Sequence, residues 1–429
     1  MRNTFIYPNP NFSLESLLDF SKLYKYSSIL LSNSTEDKFS NFQTIFSFGE
    51  KDYLASENDS FNKLRQFQNK YNDWMFGFLS YDLKNETENL TSDNLDQFKN
   101  PNLLFYIPET IFFIDENELK VESYLTKIEI DKIINQIQYQ SGVLTNNSKI
   151  EIKFRETKQE YVHKINQIKE HIQKGDIYEM NYCQEIYSEG MSINPAKVFF
   201  DLNQRSKAPF SVYFKYDKKY LLCSSPERFL QKKKDVIISQ PIKGTRRRGD
   251  SQKEDFQLKE QLKHSQKEKS ENVMITDLVR NDLSKTAMKS TVKVNELFGI
   301  YTFERVHQMI STISSRLDDA FDFVDVLETT FPMGSMTGAP KIKSMQLIEK
   351  YETTKRSVYS GAFGYISPNK DFDFNVVIRS ILYDEISSNV SVMVGGAITI
   401  NSDPIEEYEE CMVKAKAMIE VLRNERQVF

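Results

Sequence analysis

The chain has 429 residues, of which 39% are hydrophobic and 27% charged, and its formal net charge at pH 7 is −5. This length is ample for a buried core, and the balance of apolar and charged residues excludes disordered and fibrous proteins. No run of about 18 apolar residues occurs, so no membrane-spanning helix is predicted. A mildly acidic chain does not favour nucleic acid as a partner. We therefore expect a globular protein that binds neither membranes nor nucleic acid.

The chain's three cysteines, Cys183, Cys223 and Cys411, are far apart in the sequence. They have neither the spacing of a metal site nor the even number of a disulfide framework. The opening residues MRNTFIYPNPNF lack the basic segment and apolar stretch of a secretory signal. These features predict a cytoplasmic protein.

The first 145 residues are predicted to contain both strands and helices. The segments ILLSNS, TIFSFG and MFGFLSYDL have strand patterns, and NLLFYIPETIFFI is predicted as two strands interrupted at Pro108. The polar, turn-rich residues 138–149 follow. We place a boundary there, between an N-terminal region of residues 1–145 and a second region of residues 146–429, and expect the two to form one compact unit.

The second region opens with a predicted helix in which Tyr161, Ile165, Ile168 and Ile172 recur at helical spacing before Gly175. Predicted strands follow in EMNYCQEIY, FSVYFKY and KYLLCSSP, and a helix in KSENVMITDLVRND. Further strands are predicted in FGYIS, FDFNVVIRSILYD and SVMVGGAITI, and the chain closes on the helical EEYEECMVKAKAMIEVLRNE. This order is typical of the α+β class.

Glycine is scarce and unevenly distributed. Of the 14 glycines, nine follow Lys243 and only five precede it. A chain this poor in glycine is expected to keep it where the backbone needs a special shape or approaches a ligand closely. The functional site is therefore predicted in the C-terminal half.

Two predicted helices each carry a pair of glutamates three residues apart, Glu268 with Glu271 and Glu407 with Glu410. This spacing places both members of a pair on one helix face. Four carboxylates without histidine or thiol suit a hard cation such as Mg²⁺, although the same pattern is typical of a solvated face. Lys414, one turn after Glu410, is either a simple ion-pair partner or a clamp for a ligand carboxylate.

Two other segments allow a structural and a functional interpretation. PMGSMTGAPKIKSM predicts a turn entering a helix with Pro340 near its first position, which is either an ordinary helix start or an anion site. Strand alternation in FDFNVVIRSILYD places Arg379 on the same face as Asp373 and Asn375. There it is either ion-paired or bound to substrate.

The segment QPIKGTRRRG places Lys243 between an isoleucine and a glycine and before Arg246–Arg248. Shielding from water and the three like charges are expected to lower the pKa of Lys243, which would make it a nucleophile. A basic loop for phosphate is the alternative, which the acidic composition disfavours. Glu227 precedes Lys243 by sixteen positions and is predicted on a neighbouring strand. His307, in an apolar stretch, is either a core histidine or a functional one.

Taken in order, these segments resemble the motifs of the chorismate-utilising enzymes. The matching motifs are SSPERF, PIKGTRRRG, KEKSENVMITDLVRNDL, RVHQMIST, SMTGAPK, YSGAFGYIS, VIRS, VGGAIT and EEYEECMVKAKAM, over about residues 155–425. FGFLSYDLKN is similar to the N-terminal signature of the aminating members. The resemblance implies the family fold, two packed antiparallel β-sheets flanked by helices.

One position separates the branches of this family. Lys243 in PIKGT is the form of the aminodeoxychorismate synthases, whereas anthranilate synthases carry PIAGT. Glu179 stands where the isochorismate and salicylate enzymes need a lysine. The resemblance thus implies amination of chorismate to 4-amino-4-deoxychorismate, for p-aminobenzoate and folate. Anthranilate synthase is the alternative, and a non-catalytic binding protein is a third possibility that the intact glutamates disfavour.

The resemblance also assigns roles to individual residues. Lys243 would be a covalent nucleophile and Glu227 the general acid, with His307 near the substrate. The four glutamates would bind Mg²⁺. The implied substrate contacts are Gly244, Thr245, Thr337, Tyr359, Arg379, Gly395, Gly396, Ala397 and Lys414. No cysteine lies on a glycine-flanked nucleophile turn, so ammonia is expected from a glutamine amidotransferase subunit in a heterodimer.

Overall fold

The computed structural model describes residues 2–35, 39, 42–139, 144 and 150–425, and the predicted boundary after residue 145 lies outside them. The strands are β1 (Asn3–Pro8), β2 (Tyr26–Leu31), β3 (Thr44–Ser56), β4 (Met75–Leu79), β5 (Leu103–Ile114), β6 (Glu118–Ser123), β7 (Lys153–Phe154), β8 (Glu179–Ser188), β9 (Phe210–Tyr216), β10 (Lys219–Ser225), β11 (Arg228–Lys233), β12 (Val236–Gln240), β13 (Ile242–Arg247), β14 (Lys293–Thr302), β15 (Val306–Arg316), β16 (Gly338–Ala339), β17 (Ala362–Ile366), β18 (Phe372–Val376), β19 (Ser380–Asp384) and β20 (Asn389–Ile398).

The helices are α1 (Leu14–Ser21), α2 (Ser60–Tyr71), α3 (Lys84–Thr87), α4 (Lys127–Tyr139), α5 (Lys158–Gln173), α6 (Pro195–Ser206), α7 (Gln252–His264), α8 (Gln266–Ser284), α9 (Phe323–Thr330), α10 (Lys341–Tyr351) and α11 (Pro404–Leu422). The predicted helix after residue 155 is α5. It begins at a capping box between Thr157 and Glu160, buries Tyr161, Ile165 and Ile168, and ends before a glycine of positive φ. None of these helices is both long enough and apolar enough to cross a bilayer.

The strands form antiparallel ladders that meet at β5. One edge of β5 pairs with β3, and the other pairs first with β4 and then with β6. From β3 the pairing continues through β2, β9, β10, β19 and β20 to β8. From β4 it continues through β17, β18, β11, β12 and β15 to β14. Strands from the first 145 residues therefore pair directly with strands of the second region.

The predicted interruption at Pro108 is wrong, because β5 is one continuous strand. Pro108 lies opposite Glu50 at a register shift in the β3–β5 ladder. On the other edge of β5, the partner changes from β4 to β6 on either side of this proline. Both irregularities remove the need for a ladder N–H, so the strand accommodates proline here.

The two arms of the ladder face each other across an aromatic core. The ring centroid of Phe214 in β9 is 6.3 Å from that of Phe78 in β4 and 4.9 Å from that of Phe363 in β17. The outer faces are covered by helices, α1, α4, α5, α6 and α11 on one arm and α2, α8 and α9 on the other. This confirms the predicted α+β fold of two packed antiparallel sheets flanked by helices. Each of the three cysteines is a buried free thiol.

A buried ion pair joins β8 to the segment after α10. Arg356 donates to Glu352 Oε1 at 2.6 Å, and their side chains are 1% and 2% exposed. The guanidinium also donates to the carbonyls of Met336, at 2.7 Å, and Asn181, at 3.0 Å. Glu352 Oε1 accepts the backbone N–H of Cys183 at 2.8 Å. The pair thereby satisfies buried backbone groups on two segments that border the cavity described below.

Replacing Arg356 by methionine is expected to lower the free energy of unfolding by about 3 kcal/mol or more, because Glu352 and two carbonyls lose their buried partner. Urea unfolding followed by circular dichroism measures the change. Arg280→Met is the control, since Arg280 pairs with Asp277 at an exposed site and should cost less than about 1 kcal/mol. Equal midpoints for the two variants would contradict the structural role of the buried pair.

Candidate active site

A cavity of about 440 Å³ lies where β8, β13, β15 and β20 meet α8 and α11. Most of the predicted site residues line it, although they come from distant parts of the sequence. They are Glu227, Lys243, Gly244, Thr245, Glu268, Glu271, Tyr359, Arg379, Gly395, Gly396, Ala397, Glu407, Glu410 and Lys414. The fold therefore gathers into one concave surface residues that span nearly 190 positions of the chain (Glu227 to Lys414).

Lys243 enters the cavity from an irregular point in β13. The register of the β13–β15 ladder shifts between Ile242 and Thr245, which places Lys243 and Gly244 in a bulge. Gly244 has a φ of +91°, and a Cβ there would lie 2.9 Å from Glu268 Oε2. This position requires glycine because both the backbone conformation and the space exclude a side chain.

The Lys243 ammonium is surrounded by carboxylates. Its Nζ donates to Glu179 Oε1 at 2.8 Å, and both side chains are buried. Burial by itself lowers the pKa of Lys243, but Glu179, Glu271 and Glu227 outweigh it and hold the pKa above its ordinary value. The predicted lowering of this pKa is therefore wrong. Lys243 is an ammonium at neutral pH in this structure.

The arginines that follow Lys243 do not act on it as predicted. Arg246 donates to Glu268 at 3.2 Å and Arg248 to Asp255 at 2.8 Å, while Arg247 pairs with Glu254. Each of these positive charges is thus neutralised by its own carboxylate. Sequence proximity suggested repulsion between like charges, but the acidic partners on α7 and α8 remove it.

Glu227 lies in the loop before β11, on the cavity wall, and is 4% exposed. Burial raises its pKa to about 7, although a hydrogen bond from Ser335 and the charge of Lys243 oppose this effect. A carboxyl group with such a pKa carries a proton for much of the time at neutral pH. It is therefore suited to protonate a leaving group.

The four predicted metal-binding glutamates come from two helices. Glu268 and Glu271 lie on α8, and Glu407 and Glu410 on α11. Burial raises the pKa of Glu271 to about 7, and its Oε1 is buried without a hydrogen-bond partner among the described residues. Each of the other three glutamates contacts a cation. Glu268 pairs with Arg246, Glu407 with Lys267 and Glu410 with Lys414.

Within the part of the chain that the structure describes, no three acidic, histidine or cysteine side chains are grouped as a metal site. The donor set nonetheless fits a hard cation, because all four groups are carboxylates at one cavity and Glu271 has a free buried oxygen. Mg²⁺ keeps several waters and needs only one or two direct carboxylates. Binding would require the neighbouring lysine and arginine side chains to move away.

Two further cations line the cavity, Lys414 on α11 and Arg379 between two strands. Lys414 Nζ donates to the Gly395 carbonyl at 2.8 Å and to Glu410 at 2.7 Å, and the charge of Lys414 lowers the pKa of Glu410. Arg379 lies between β18 and β19 with a φ of +52°, and burial lowers its pKa. The predicted shared face with Asp373 is wrong because the strand ends at Val376. Asp373 pairs with Arg228 instead.

Two predicted site residues do not line the cavity. His307 is directed away from it because alternate residues of β15, Val306 and Gln308, line the wall. Its Nε2 lies 2.9 Å from Asp255 and its Nδ1 2.9 Å from Thr302 Oγ1.

Thr337 is likewise engaged elsewhere. Its hydroxyl donates to the Met333 carbonyl at 3.2 Å, and its own carbonyl accepts from Asn181 N–H at 2.8 Å. Pro340 is the residue that precedes α10 rather than the first of the helix. From this segment the cavity is lined by Ser335 and Met336.

Sequence patterns alone missed several residues at this site. Glu179 binds Lys243, and Lys267, Gln308 and Ser335 line the cavity. Lys267 adjoins Glu268 in the sequence, which is the only local signal among them. The others are brought in by contacts between segments that are distant in the sequence, which no local pattern reports.

Comparison with known proteins shows the family of this chain. Residues 26–420 match the family model described as chorismate binding enzyme. The chain belongs to this family. Its cavity is therefore the candidate active site of a chorismate-binding enzyme.

Two curated relatives and one solved structure illustrate the similarity. A Bacillus subtilis (strain 168) protein named aminodeoxychorismate synthase component 1 is 30% identical over 80% of this chain and 75% of its own length. A protein of Oryza sativa subsp. japonica named probable aminodeoxychorismate synthase, chloroplastic, is 38% identical over 62% of this chain, a match that covers 30% of the relative's length. The structure of anthranilate synthase component I from Streptococcus pneumoniae TIGR4 superimposes with a TM-score of 0.79 at 23% identity, over 90% of this chain and 93% of that one. The two chains share one fold.

Because the pKa of Glu227 is raised in the folded protein, the free energy of unfolding is expected to depend on pH. Between pH 4.5 and about 7 the folded protein keeps a proton that the unfolded chain releases, so stability falls as pH rises through this window. Glu227→Gln removes this loss. We expect it to match the wild type near pH 4.5 and to be about 2–3 kcal/mol more stable at pH 8.

Urea unfolding at both pH values measures this difference. Glu170→Gln is the control, because Glu170 lies on the exposed face of α5 and the substitution should show no such pH dependence. A constant difference between Glu227→Gln and wild type across the window would show that Glu227 is an ordinary acid in the folded protein.

Proposed function

We propose that this chain binds chorismate in the cavity and aminates it with ammonia to 4-amino-4-deoxychorismate, the precursor of p-aminobenzoate in folate biosynthesis. The buried Lys243 at the cavity wall carries this proposal. The two curated relatives named above as aminodeoxychorismate synthases support it. Anthranilate synthase is the alternative, since the solved structure of the same fold bears that name, but the motif of those enzymes is PIAGT, with alanine in place of Lys243.

Binding of chorismate is proposed to rest on the cations of the cavity. Chorismate carries two carboxylates, and Arg379 and Lys414 offer positive charge to them. A charged guanidinium that burial has stripped of water gains from an anionic ligand. Gly396 leaves room beside these groups, since a Cβ there would lie 3.1 Å from Glu407 Oε2 and 3.6 Å from Lys414 Nζ. Gly395 allows β20 to approach β8 closely, since a Cβ there would lie 2.3 Å from the Tyr182 carbonyl. Tyr359 and Thr245 complete the proposed contacts.

The proposed chemistry divides one difficult displacement into two easier steps. The Lys243 amine forms a bond to the ring while Glu227 protonates the departing hydroxyl, which leaves as water. Ammonia then forms its bond to the ring carbon that carried the hydroxyl, and the bond to Lys243 breaks. Lys243 and Glu227 line the same cavity, so a ring bound there can reach both side chains. His307 would act indirectly, through Asp255, rather than by touching substrate.

Mg²⁺ is the proposed cofactor, held by Glu268 and Glu271 from α8 and Glu407 and Glu410 from α11. When bound, it would neutralise a carboxylate of the substrate and make the ring a better electron acceptor. The unpartnered Glu271 oxygen supports this assignment. Lys267 and Arg246, which now pair with two of the glutamates, would be free to meet the anionic substrate.

Ammonia is proposed to come from a glutamine amidotransferase subunit. All three cysteines of this chain are buried, and burial raises the pKa of each thiol, so none is suited to attack glutamine. Free buried thiols also support a reducing compartment, and we propose the cytoplasm.

A product assay tests the function directly. Incubation of the purified chain with chorismate, Mg²⁺ and ammonium at high pH should give 4-amino-4-deoxychorismate, identified by mass spectrometry and by co-elution with an authentic sample. Glutamine in place of ammonium should give no product until an amidotransferase is added. Anthranilate with release of pyruvate would instead support the alternative function.

Replacement of Lys243 tests the nucleophile. Lys243→Arg keeps the charge and the pairing with Glu179, but a guanidinium stays protonated and cannot attack. We expect no adduct and a loss in rate of about 100-fold or more. Lys243→Ala should still bind chorismate and be partly rescued by concentrated ammonia.

Wild type mixed with chorismate without ammonia should show a mass increase on the peptide containing Lys243. The control is Lys215→Arg, a buried lysine outside the cavity that donates to the Lys22 carbonyl. An active Lys243→Arg enzyme, or an adduct mapped to another residue, would refute the nucleophile.

Metal dependence is tested on one glutamate from each helix. Glu271→Ala and Glu410→Ala should each lower kcat/KM by two orders of magnitude or more and weaken Mg²⁺ binding measured by calorimetry, roughly as loss of a metal ligand does. Glu409→Ala is the control, because Glu409 is on α11 but pairs with Lys158 at the surface. Full turnover of wild type in excess chelator would exclude a role for the metal.

A further inference from the structure

Among the residues that the structure describes, Glu179 is the one carboxylate hydrogen-bonded to Lys243, and it does not line the cavity. It is 1% exposed, and Oε1 accepts from Lys243 Nζ at 2.8 Å. Its other oxygen, Oε2, is buried without a hydrogen-bond partner among the residues described. The carboxylate is therefore shielded from solvent, and one of its two oxygens is free of other hydrogen bonds.

The backbone around Glu179 is held on both sides. Ala339 of β16 pairs with it, and the hydroxyl of Ser344 donates to its carbonyl at 3.2 Å. Gly338 makes this approach possible, because a Cβ there would lie 2.2 Å from the Glu179 carbonyl. These contacts fix the backbone from which the Glu179 side chain reaches Lys243.

The proposed reaction needs Lys243 as an amine, yet the structure stabilises its ammonium. Three carboxylates act on that ammonium, Glu179 from β8, Glu271 from α8 and Glu227 from the loop before β11. Glu227 is the proposed proton donor to the leaving hydroxyl, and Glu271 is proposed to bind the metal. Only Glu179 is hydrogen-bonded to Nζ and has no other proposed task.

We infer that Glu179 is the base that removes the proton from Lys243 Nζ as the lysine attacks the ring. This inference rests on the proposed function. The proton moves along the existing hydrogen bond, so no water is required. Glu179 becomes a neutral acid when substrate fills the cavity, and it returns the proton to Nζ once ammonia has displaced the lysine.

The protons balance over the cycle. Nζ gives one proton to Glu179, and the resulting amine forms the N–C bond while the C–O bond breaks with a proton from Glu227. Ammonia adds as the N–C bond to Lys243 breaks, which yields the product ammonium and a free lysine amine. Glu179 reprotonates that amine, and the product ammonium or solvent reprotonates Glu227. The sum is chorismate and ammonia to aminated product and water.

Glu179→Gln separates a base from a carboxylate that only holds charge. If Glu179 only stabilises the ammonium, its removal frees the amine and the adduct with chorismate forms faster. If it is the base, the adduct forms more slowly, by about 10²–10⁴-fold. The measurement is the rate of adduct formation without ammonia, in rapid quench with peptide mass spectrometry, alongside chorismate affinity, which should change little.

Glu185→Gln is the matched control, since Glu185 lies on the same face of β8, is buried and pairs with Arg155 away from the cavity. It should leave the adduct rate within a few-fold of wild type. A second variant, Glu179→Ala, leaves space where the carboxylate was. Sodium formate should restore part of its adduct rate, and sodium chloride at equal ionic strength should not.

The outcomes distinguish this inference from the function on which it rests. Wild type that forms neither adduct nor aminated product refutes both. Wild type that forms both, with Glu179→Gln equally fast or faster, or with Glu179→Ala indifferent to formate, refutes the base alone. Slowing of Glu179→Gln together with formate rescue of Glu179→Ala supports it.

Discussion

The site depends on an ammonium group buried among carboxylates. Lys243 lies among Glu179, Glu227 and Glu271, where burial limits how far water can stabilise these charges. Burial penalises each charged group alone, so the lysine remains charged because the three carboxylates together outweigh that penalty. The same burial raises the pKa of Glu227 to about 7, so this carboxyl group carries a proton for much of the time at neutral pH. One desolvated pocket thus holds the proposed proton acceptor, Glu179, and the proposed proton donor, Glu227, close to the lysine.

The rest of the architecture holds this arrangement in place. Strand β8 brings Glu179 to Lys243, pairs with β20 beside the glycines of the cavity, and is held at its centre by the Glu352–Arg356 ion pair. Helices α8 and α11 face the same space from two sides with their glutamates. Because β5 links the two arms of the sheet, the N-terminal strands serve as a support for the catalytic region and supply no lining residue.

In the cavity as the structure shows it, cationic side chains pair with the glutamates. Lys267, Arg246 and Lys414 each contact one of the glutamates that would bind the metal. In the proposed function, an anionic substrate and a divalent cation would replace these partners together, with negative charge for the lysines and arginines and positive charge for the glutamates. Such an exchange of partners lowers the cost of burying so many charges in both states.

The sequence by itself determined many of the helices and strands and most of the residues that line the cavity. Glutamates three apart share a helix face by geometry alone, and the ordered motifs around Lys243, Arg379 and Gly395 are similar enough to the family to predict its fold. Only the tertiary structure decided how the charges act. The pKa of Lys243 lies above rather than below its ordinary value because Glu179, on another strand, is hydrogen-bonded to it. His307 points away from the cavity because successive side chains of β15 lie on opposite faces of the strand. Electrostatic effects depend on distances between residues that are far apart in the chain, and local patterns carry no information about those distances.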